Sequence, residues 1–325
     1  VKTYEMYSDS MLHVLNDLFD CIDEPHGDLG YPNLFFLSRH VKKDITVAIL
    51  GDGADELFTG YLPNHATGFE SIIEALPKRL VNFGKQCSES ILPVKNRYMG
   101  LDAVTRAFLG GFPSNPLIRF CIWLSTIDPE RLQKLSKNMG SDFFSRYGQN
   151  GTLYGPVGNK MEDMANLSRR QQYSYFYQQV FLPESVCAHT DRAAMQFSVE
   201  MRSPFLSKEI IEFANNIPDE YKYRNFRLKR ILRDLAKKNG LPKKIWNQKK
   251  HGFTFPLSRW LIGPLNKLLK RSIESEYFPR QLINMKYLQR LVDEHVKGVK
   301  DNHRILYSLI VFENWLKNNS HISID

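Results

Sequence analysis

Ile45-Thr-Val-Ala-Ile-Leu-Gly-Asp-Gly-Ala-Asp-Glu-Leu-Phe-Thr-Gly-Tyr61 decides how this chain is read. A β-branched apolar run over residues 45–50 stops at two glycines interleaved with Asp52, Asp55 and Glu56, and an apolar helix opening follows. The pattern predicts a buried parallel strand that delivers acidic groups to the carboxyl edge of a sheet, where open α/β folds bind ligands. Carboxylates this close repel one another, so a cation or a cationic substrate belongs beside them. The competing reading is a strand-to-helix turn, with Asp52 as N-cap and the glycines relieving backbone strain. Spacing alone weighs the two evenly.

Outward from this stretch the chain turns helical. Upstream, Met11, Val14, Leu15, Leu18, Phe19 and Ile22 share one stripe over residues 9–22. Pro and Gly break residues 23–32 into a loop, and 33–43 reads as a helix with a basic last turn. A lone strand cannot make a sheet, and little downstream reads as strand. Period-3.6 stripes predict helices over 69–84, 101–109, 116–125, 128–138, 161–182, 184–197, 206–216, 227–238, 257–273, 285–298 and 303–318. Residues 140–160 hold five glycines and no periodicity, which predicts a surface loop. The expected class is α/β but predominantly helical: residues 1–65 carry the remnant of a parallel sheet and 66–325 a large helical layer.

Composition narrows the function. Of 325 residues, 42% are apolar and 24% charged, as in ordinary globular proteins. No apolar run approaches the roughly 18 residues that span a bilayer. The N-terminus lacks a signal-peptide layout and an initiator Met, so the chain reads as cut from something longer. Cys21, Cys87, Cys121 and Cys187 are widely spaced with no Cys-x-x-Cys pair, which predicts reduced thiols in the cytoplasm. The net charge of +9 is concentrated: between Tyr221 and Arg271, 16 Lys or Arg face Asp234 alone, a local +15. That block suggests a polyanion site, nucleic acid or polyphosphate, against the plainer reading of a solvated helix face.

Two later segments carry further chemistry. In Leu182 to Leu206, Asp191 and Arg192 fall mid-helix while Glu200 and Arg202 flank the exit toward Pro204; buried acid–base pairs there would clamp the helix–loop junction. In Asn247 to Leu257, Lys249 and Lys250 precede a Gly-Phe turn where backbone can approach a ligand and a lysine can meet a phosphoryl group.

Taken in order, these segments resemble the synthetase domain of the glutamine-dependent asparagine synthetases. Leu50-Gly-Asp-Gly-Ala-Asp-Glu-Leu-Phe-Thr-Gly-Tyr61 looks like the family's Ser-Gly-(Glu/Asp)-Gly-x-Asp-Glu-(Leu/Val)-Phe-Gly-Gly-Tyr. Asp191-Arg through Ser198-Val-Glu-Met-Arg-Ser-Pro-Phe-Leu206 looks like Asp-Arg-x-Ser-Met-Ala-x-Ser-x-Glu-x-Arg-x-Pro-Phe-Leu. Lys250-His-Gly-Phe253 with Pro256-Leu looks like Lys-x-Gly-Phe-x-x-Pro-Leu, and Asp23-Glu-Pro25 matches a further tripeptide. The likeness runs from about residue 9 to about residue 265.

The resemblance implies a truncated domain of the adenine-nucleotide α-hydrolase type, an ATP pyrophosphatase, over residues 1–325. It implies that aspartate is activated by Mg-ATP as β-aspartyl-AMP and that ammonia, drawn from glutamine, displaces AMP. Asp55 matches the Mg²⁺ ligand, suiting a hard cation. Asp52 matches the acidic position that holds or deprotonates the attacking ammonium. Lys250 matches the lysine that neutralises charge on the reacting phosphorus, and Lys229 and Arg233 match positions near the same anion. Leu50, Gly51 and Gly53 match nucleotide-touching backbone, with Lys249 beside Lys250.

Departures set the alternatives. The family's pyrophosphate loop, Ser-Gly-Gly-x-Asp-Ser, is not among these residues, nor is a cysteine glutaminase domain, so a partner segment or chain is expected to supply them. Leu50 replaces a serine, Ala194 a small hydroxyl residue, Gln196 an alanine and Ser207 an aspartate. The rival readings are a relative that adenylates another acid and closes a β-lactam or lasso-peptide ring, and a catalytically dead interaction module. Nucleic acid ranks last, because few exposed aromatics are expected within the basic block.

Overall fold

Strand Val47–Ile49 (β1) finds its partner far downstream, in Glu200–Arg202 (β2). The computed structural model describes residues 3–91, 105, 108–112, 116–137, 161–248 and 252–322. Within them, β1 and β2 pair in parallel, with Val47 opposite Glu200, Ala48 opposite Met201 and Ile49 opposite Arg202. Backbone bonds extend the ladder at both ends, from the Glu200 N–H to the Thr46 carbonyl and from the Leu50 N–H to the Arg202 carbonyl, each at 2.8 Å. A parallel pair requires a long crossover. Helical segments supply it, so the sheet is not confined to the first 65 residues.

The expectation of a buried strand is overturned. Ile45, Val47 and Ile49 are 39%, 42% and 76% exposed. Among the described residues only β2 flanks β1, and no helix covers the face that carries Val47 and Ile49.

Most helices fall on the predicted stripes, with physical breaks, while the short Asp219–Lys222 and Lys243–Trp246 helices lie outside them and the 161–182 stripe is interrupted between Met164 and Arg169. Ser8–Phe19 and Tyr31–Val41 open the chain, and Met11, Val14, Leu15 and Leu18 of the first are at most 3% exposed. They pack with Phe35 and Phe36, with Leu257, Leu261, Leu268 and Leu269, and with Leu306, Ile310 and Val311 of the His303–Asn318 helix, forming the main core. The stripe over 69–84 splits into Glu70–Glu74 and Lys78–Ile91 at Pro77, and that over 257–273 splits into Leu257–Ile262 and Asn266–Glu274 beside Pro264. Proline lacks the N–H that a continuing helix needs. The stripe at 101–109 lies largely, and the loop at 140–160 wholly, outside the described residues.

Residues 169–195 form one helical run of unusual build. Arg169–Phe176 is α-helical behind a capping box in which Ser168 and Gln171 exchange bonds. Tyr177–Cys187 then widens into a π-helix that holds Pro183, and Ala188–Met195 returns to α. The wider turn accommodates the missing N–H and the ring of Pro183. A smaller core cluster, Leu57, Phe58 and Ala214 with Phe205, Ile210, Ile211, Ile231 and Leu232, backs the acidic loop. No helix among the described residues is long and apolar enough to cross a membrane.

Candidate active site

The acidic loop leaves β1 through Leu50 and Gly51 and enters a single helical turn, Ala54–Leu57. Gly53 precedes that turn in the left-handed region, at φ +86°, and a Cβ there would lie 2.3 Å from Leu206 Cδ2. Glycine is required twice over, by backbone and by space. Leu57 and Phe58, 1% and 2% exposed, anchor the far side of the loop, each contributing about 1.5–3 kcal/mol of apolar burial.

The three carboxylates do not act as one cluster. Glu56, 2% exposed, turns into the protein, where the Tyr61 hydroxyl donates to its Oε1. Burial lifts its carboxyl above the ordinary range, and the Tyr61 bond opposes this. Asp55 forms an ion pair with Lys229, Nζ to Oδ1 at 3.0 Å, with the two side chains 19% and 25% exposed. Asp52 accepts a bond from the Thr190 hydroxyl at 3.0 Å, and Ser203 Oγ donates to the Asp52 carbonyl. Burial raises the Asp52 carboxyl, the Thr190 bond lowers it, and the neighbouring charge of Asp55 raises it. The side chain of Asp52 does not cap the helical turn.

Two features let Asp55 and Lys229 meet. Gly60 passes so close that a Cβ there would lie 1.8 Å from Asp55 Oδ1 and 2.3 Å from Lys229 Cε. Lys229 itself, just ahead of the Arg230–Lys238 helix, is held at φ +51°. A lysine in that region is strained, and such strain gathers where the surrounding structure fixes a functional group.

Arg233, on the same helix, is spent on backbone. Its Nη1 donates to the Trp246 carbonyl at 3.1 Å and its Nη2 to the Gln248 carbonyl at 2.8 Å. It thus fixes the chain that leads to residue 249, while beyond residue 251 the Phe253 carbonyl runs 3.3 Å from where a Cβ on Gly30 would sit. Lys249 and Lys250 themselves lie outside the described residues.

The acid–base clamp is corrected in its partners and its burial. Arg192 does not meet Asp191, which is exposed; its guanidinium pairs with Glu24 and, at 3.4 Å, with Asp23. Among the described residues Glu200 and Arg202 pair only with each other, at 2.8 Å, and are 53% and 66% exposed because they lie on the open face of β2. The clamp that exists joins the Ala188–Met195 helix to the 23–28 loop, since His189 Nδ1 also lies 2.9 Å from Asp28 Oδ2. The His26 ring lies 4.2 Å from that of His189, and burial and His189 push its pKa down to about 4.

Sequence reasoning missed Thr190, Ser203, Gly60, His189 and Asp28. The first three sit inside the quoted segments, so their positions carried the signal. The last two have no pattern that joins them. Among the described residues no group of three or more His, Cys, Asp or Glu side chains is arranged to hold a metal.

A parallel strand pair, a carboxylate-bearing turn at the strand's carboxyl end and a lysine brought to it from a distant helix define a mostly helical α/β class. Comparison with known proteins specifies it: the family model "Asparagine synthase" matches residues 2–317, and the chain belongs to that family. It is 27% identical over 298 residues to "Asparagine synthetase [glutamine-hydrolyzing] 1" of Bacillus subtilis, covering 90% of this chain and 44% of that protein. A Mycobacterium bovis protein, provisionally named a glutamine-hydrolysing asparagine synthetase, is 24% identical over 313 residues, covering 95% and 45%. "Amidase chry2" of Gibberella zeae is 24% identical over 244 residues, covering 70% and 35%. The chain spans less than half the length of these relatives.

Proposed function

We propose that this chain carries the acceptor side of an ATP-dependent amide-forming site in an ATP-pyrophosphatase-type domain extending over residues 1–325. The substrate carboxylate, aspartate's in the family's own reaction, attacks the α-phosphorus of ATP. An acyl-oxygen-to-phosphorus bond forms, the α–β phosphoanhydride bond breaks, and pyrophosphate leaves. Ammonia from glutamine then attacks the acyl carbon, loses a proton and expels AMP. Asp52 takes that proton, a role helped by a raised carboxyl pKa. Lys229, and Lys250 with Lys249, meet the phosphoryl charge, and Arg233 holds the backbone on which the latter pair follows.

The observation that carries this reading is the 3.0 Å Asp55–Lys229 pair at the strand tip. A carboxylate paired with a lysine at the strand tip is a set that could receive a Mg-triphosphate, with the Asp55 oxygens offered to the cation and the Lys229 ammonium to the phosphate oxygens. The donor set fits, because Mg²⁺ is held by one or two carboxylates plus phosphate oxygens and water. Asp55 would hold the ion, which supplies charge neutralisation to the leaving group when bound.

The pyrophosphate loop and the glutaminase belong, in this reading, to a further segment or chain, and this chain alone is inactive. The exposed β1 row of Ile45, Val47 and Ile49 supports a covering layer from that segment, and the edge of β1 left unpaired among the described residues supports an additional strand. The test joins such a segment to this chain and follows pyrophosphate release. Release should need ATP, Mg²⁺, a carboxylic acid and an amine, and Asp55→Asn, Lys229→Met or Lys250→Met should each lower kcat/KM about 100-fold or more. Release that ignores Asp55→Asn sinks the proposal; absence of any thermal shift with Mg-ATP would favour a non-catalytic module.

A further inference from the structure

Most of the basic block is not used by the adenylation reading, and part of it gathers in one place. Residues 223–228 form a tight turn closed by an antiparallel bridge between Arg224 and Arg227, whose N–H donates to the Arg224 carbonyl at 3.0 Å. The two central residues, Asn225 and Phe226, have φ of 51° and 58°, the left-handed pair of a type I′ turn. Asparagine tolerates that region; a phenylalanine there is strained. The turn is held by its neighbours. The Phe226 ring lies 6.0 Å from His65 and 6.1 Å from Phe69, and Tyr223 bonds His65 Nδ1 at 3.1 Å beneath the Arg170 guanidinium.

This fastened turn presents a cleft of about 210 Å³ lined by Arg224, Asn225, Arg227 and Arg230. Two of the guanidiniums are oriented from one side. Asp234 Oδ1 accepts from Arg227 Nη2 at 3.2 Å, Asp234 Oδ2 lies 3.6 Å from Arg230 Nε, and the Glu220 carbonyl accepts from Arg230 Nη1 at 3.0 Å. Each guanidinium has five N–H donors, so most remain for the cleft. Three arginines against one aspartate leave a net charge of 3 − 1 = +2. Planar forks of this kind match the oxygens of phosphoryl groups in pairs, which a single ammonium cannot do.

We infer that this cleft binds an oligophosphate anion, two or more linked phosphoryl groups, free or as the tail of a nucleotide. It is separate from the strand-tip site, because Lys229 of the same loop turns to Asp55 instead. The inference does not depend on the adenylation reading. Phe226, 65% exposed between two of the lining residues, offers a face to a base when the anion is a nucleotide.

The test is isothermal titration of the chain, in low salt, with tripolyphosphate, ATP and AMP. Tripolyphosphate and ATP should bind and AMP more weakly. Arg224→Gln/Arg230→Gln should weaken both by about tenfold or more, the scale of lost bonds to charged groups. Equal loss of charge elsewhere, in Lys243→Gln/Lys244→Gln, and removal of the net-neutral strand-tip pair, in Asp55→Asn/Lys229→Met, should each change tripolyphosphate binding less than about twofold, as expected of screened or distant charge. ATP tighter than tripolyphosphate, with the excess lost in Phe226→Ala, identifies a nucleotide; equal affinities identify the free anion. Equal weakening by the Lys243/Lys244 pair means general attraction, and loss only with Asp55/Lys229 means the strand-tip site. Either result, or no binding at all, overturns the inference.

Discussion

Residues 50–61 and 222–233 both place residues other than glycine in the left-handed region, Thr59 at φ 53° in the first and Asn225, Phe226 and Lys229 at 51°, 58° and 51° in the second. Their surroundings differ. Thr59 is 2% exposed, over Leu57 and Phe58, and its hydroxyl is turned to the Phe58 carbonyl. Asn225 and Phe226 are exposed, and only Lys229 of the second group reaches the first region. The acidic loop is therefore shaped by packing, whereas the basic loop is shaped by a few rings and shared carboxylates. A closely packed acid half thus faces a cationic half held at fewer points, and Lys229 is the link between them.

The sharpest way to break this comparison is Gly60→Ala. With a Cβ 1.8 Å from Asp55 Oδ1, the loop must move or the ion pair must open. Overpacking of a fixed site costs about 1–3 kcal/mol, and the upper end is expected here because atoms of both partners are in the way. Urea denaturation reads it; a change under about 0.5 kcal/mol would mean the loop is as adjustable as its basic neighbour.

Next in size is the pair itself. Asp55→Asn or Lys229→Met leaves a partner about three-quarters or more buried. Each should destabilise by about 1–3 kcal/mol, with a coupling energy of about 0.5 kcal/mol or more in the double-mutant cycle. Zero coupling would separate the two loops. A gain is expected from Thr59→Gly: a buried β-branched residue at positive φ stores about 1 kcal/mol or more, which glycine releases in part against its own chain entropy.

Asp52 distinguishes the halves by pH. Its folded-state carboxyl is raised, so the folded protein keeps that proton to higher pH than the unfolded chain. The contribution is most favourable below the ordinary value of 3.8 and is lost as pH rises through the folded value. Asp52→Asn should therefore raise the Tm at pH 7 and leave it nearly unchanged at pH 3.5. Calorimetry at the two pH values checks this, and a lower Tm at pH 7 would show that the Thr190 bond outweighs burial.

What could be read from the chain follows the same divide. β1 was legible because Ile45-Thr-Val-Ala-Ile is β-branched and ends in glycines, and its glycine-spaced carboxylates marked the tip. β2 was not, because Glu-Met-Arg at 200–202 is a three-residue strand with no alternation strong enough to separate it from a loop. The π-helical stretch was missed because a 3.6-residue stripe runs into Pro183 from both sides without recording a wider turn. The three carboxylates looked equivalent in sequence; only packing sends Glu56 inward to Tyr61 and leaves Asp52 and Asp55 at the tip. The rows of apolar residues that predicted the core, such as Met11, Leu15 and Leu18, were reliable because burial is a property of a whole face.

The smallest effect tests the reading that the sequence got least right. Glu200 and Arg202 sit two apart on β2, both on its exposed face, and bond at 2.8 Å with more than half of each side chain in solvent. Solvent competes for both charges, and holding two long side chains together costs rotamer entropy, so Glu200→Ala should cost at most about 0.5 kcal/mol. The same substitution becomes informative once an upstream segment carrying further sheet is supplied. If that segment covers this face, the pair is desolvated and removing one partner should cost about 3 kcal/mol. An unchanged cost in the joined protein would mean that β2 keeps its face to water, and that any added strand pairs only along the free edge of β1.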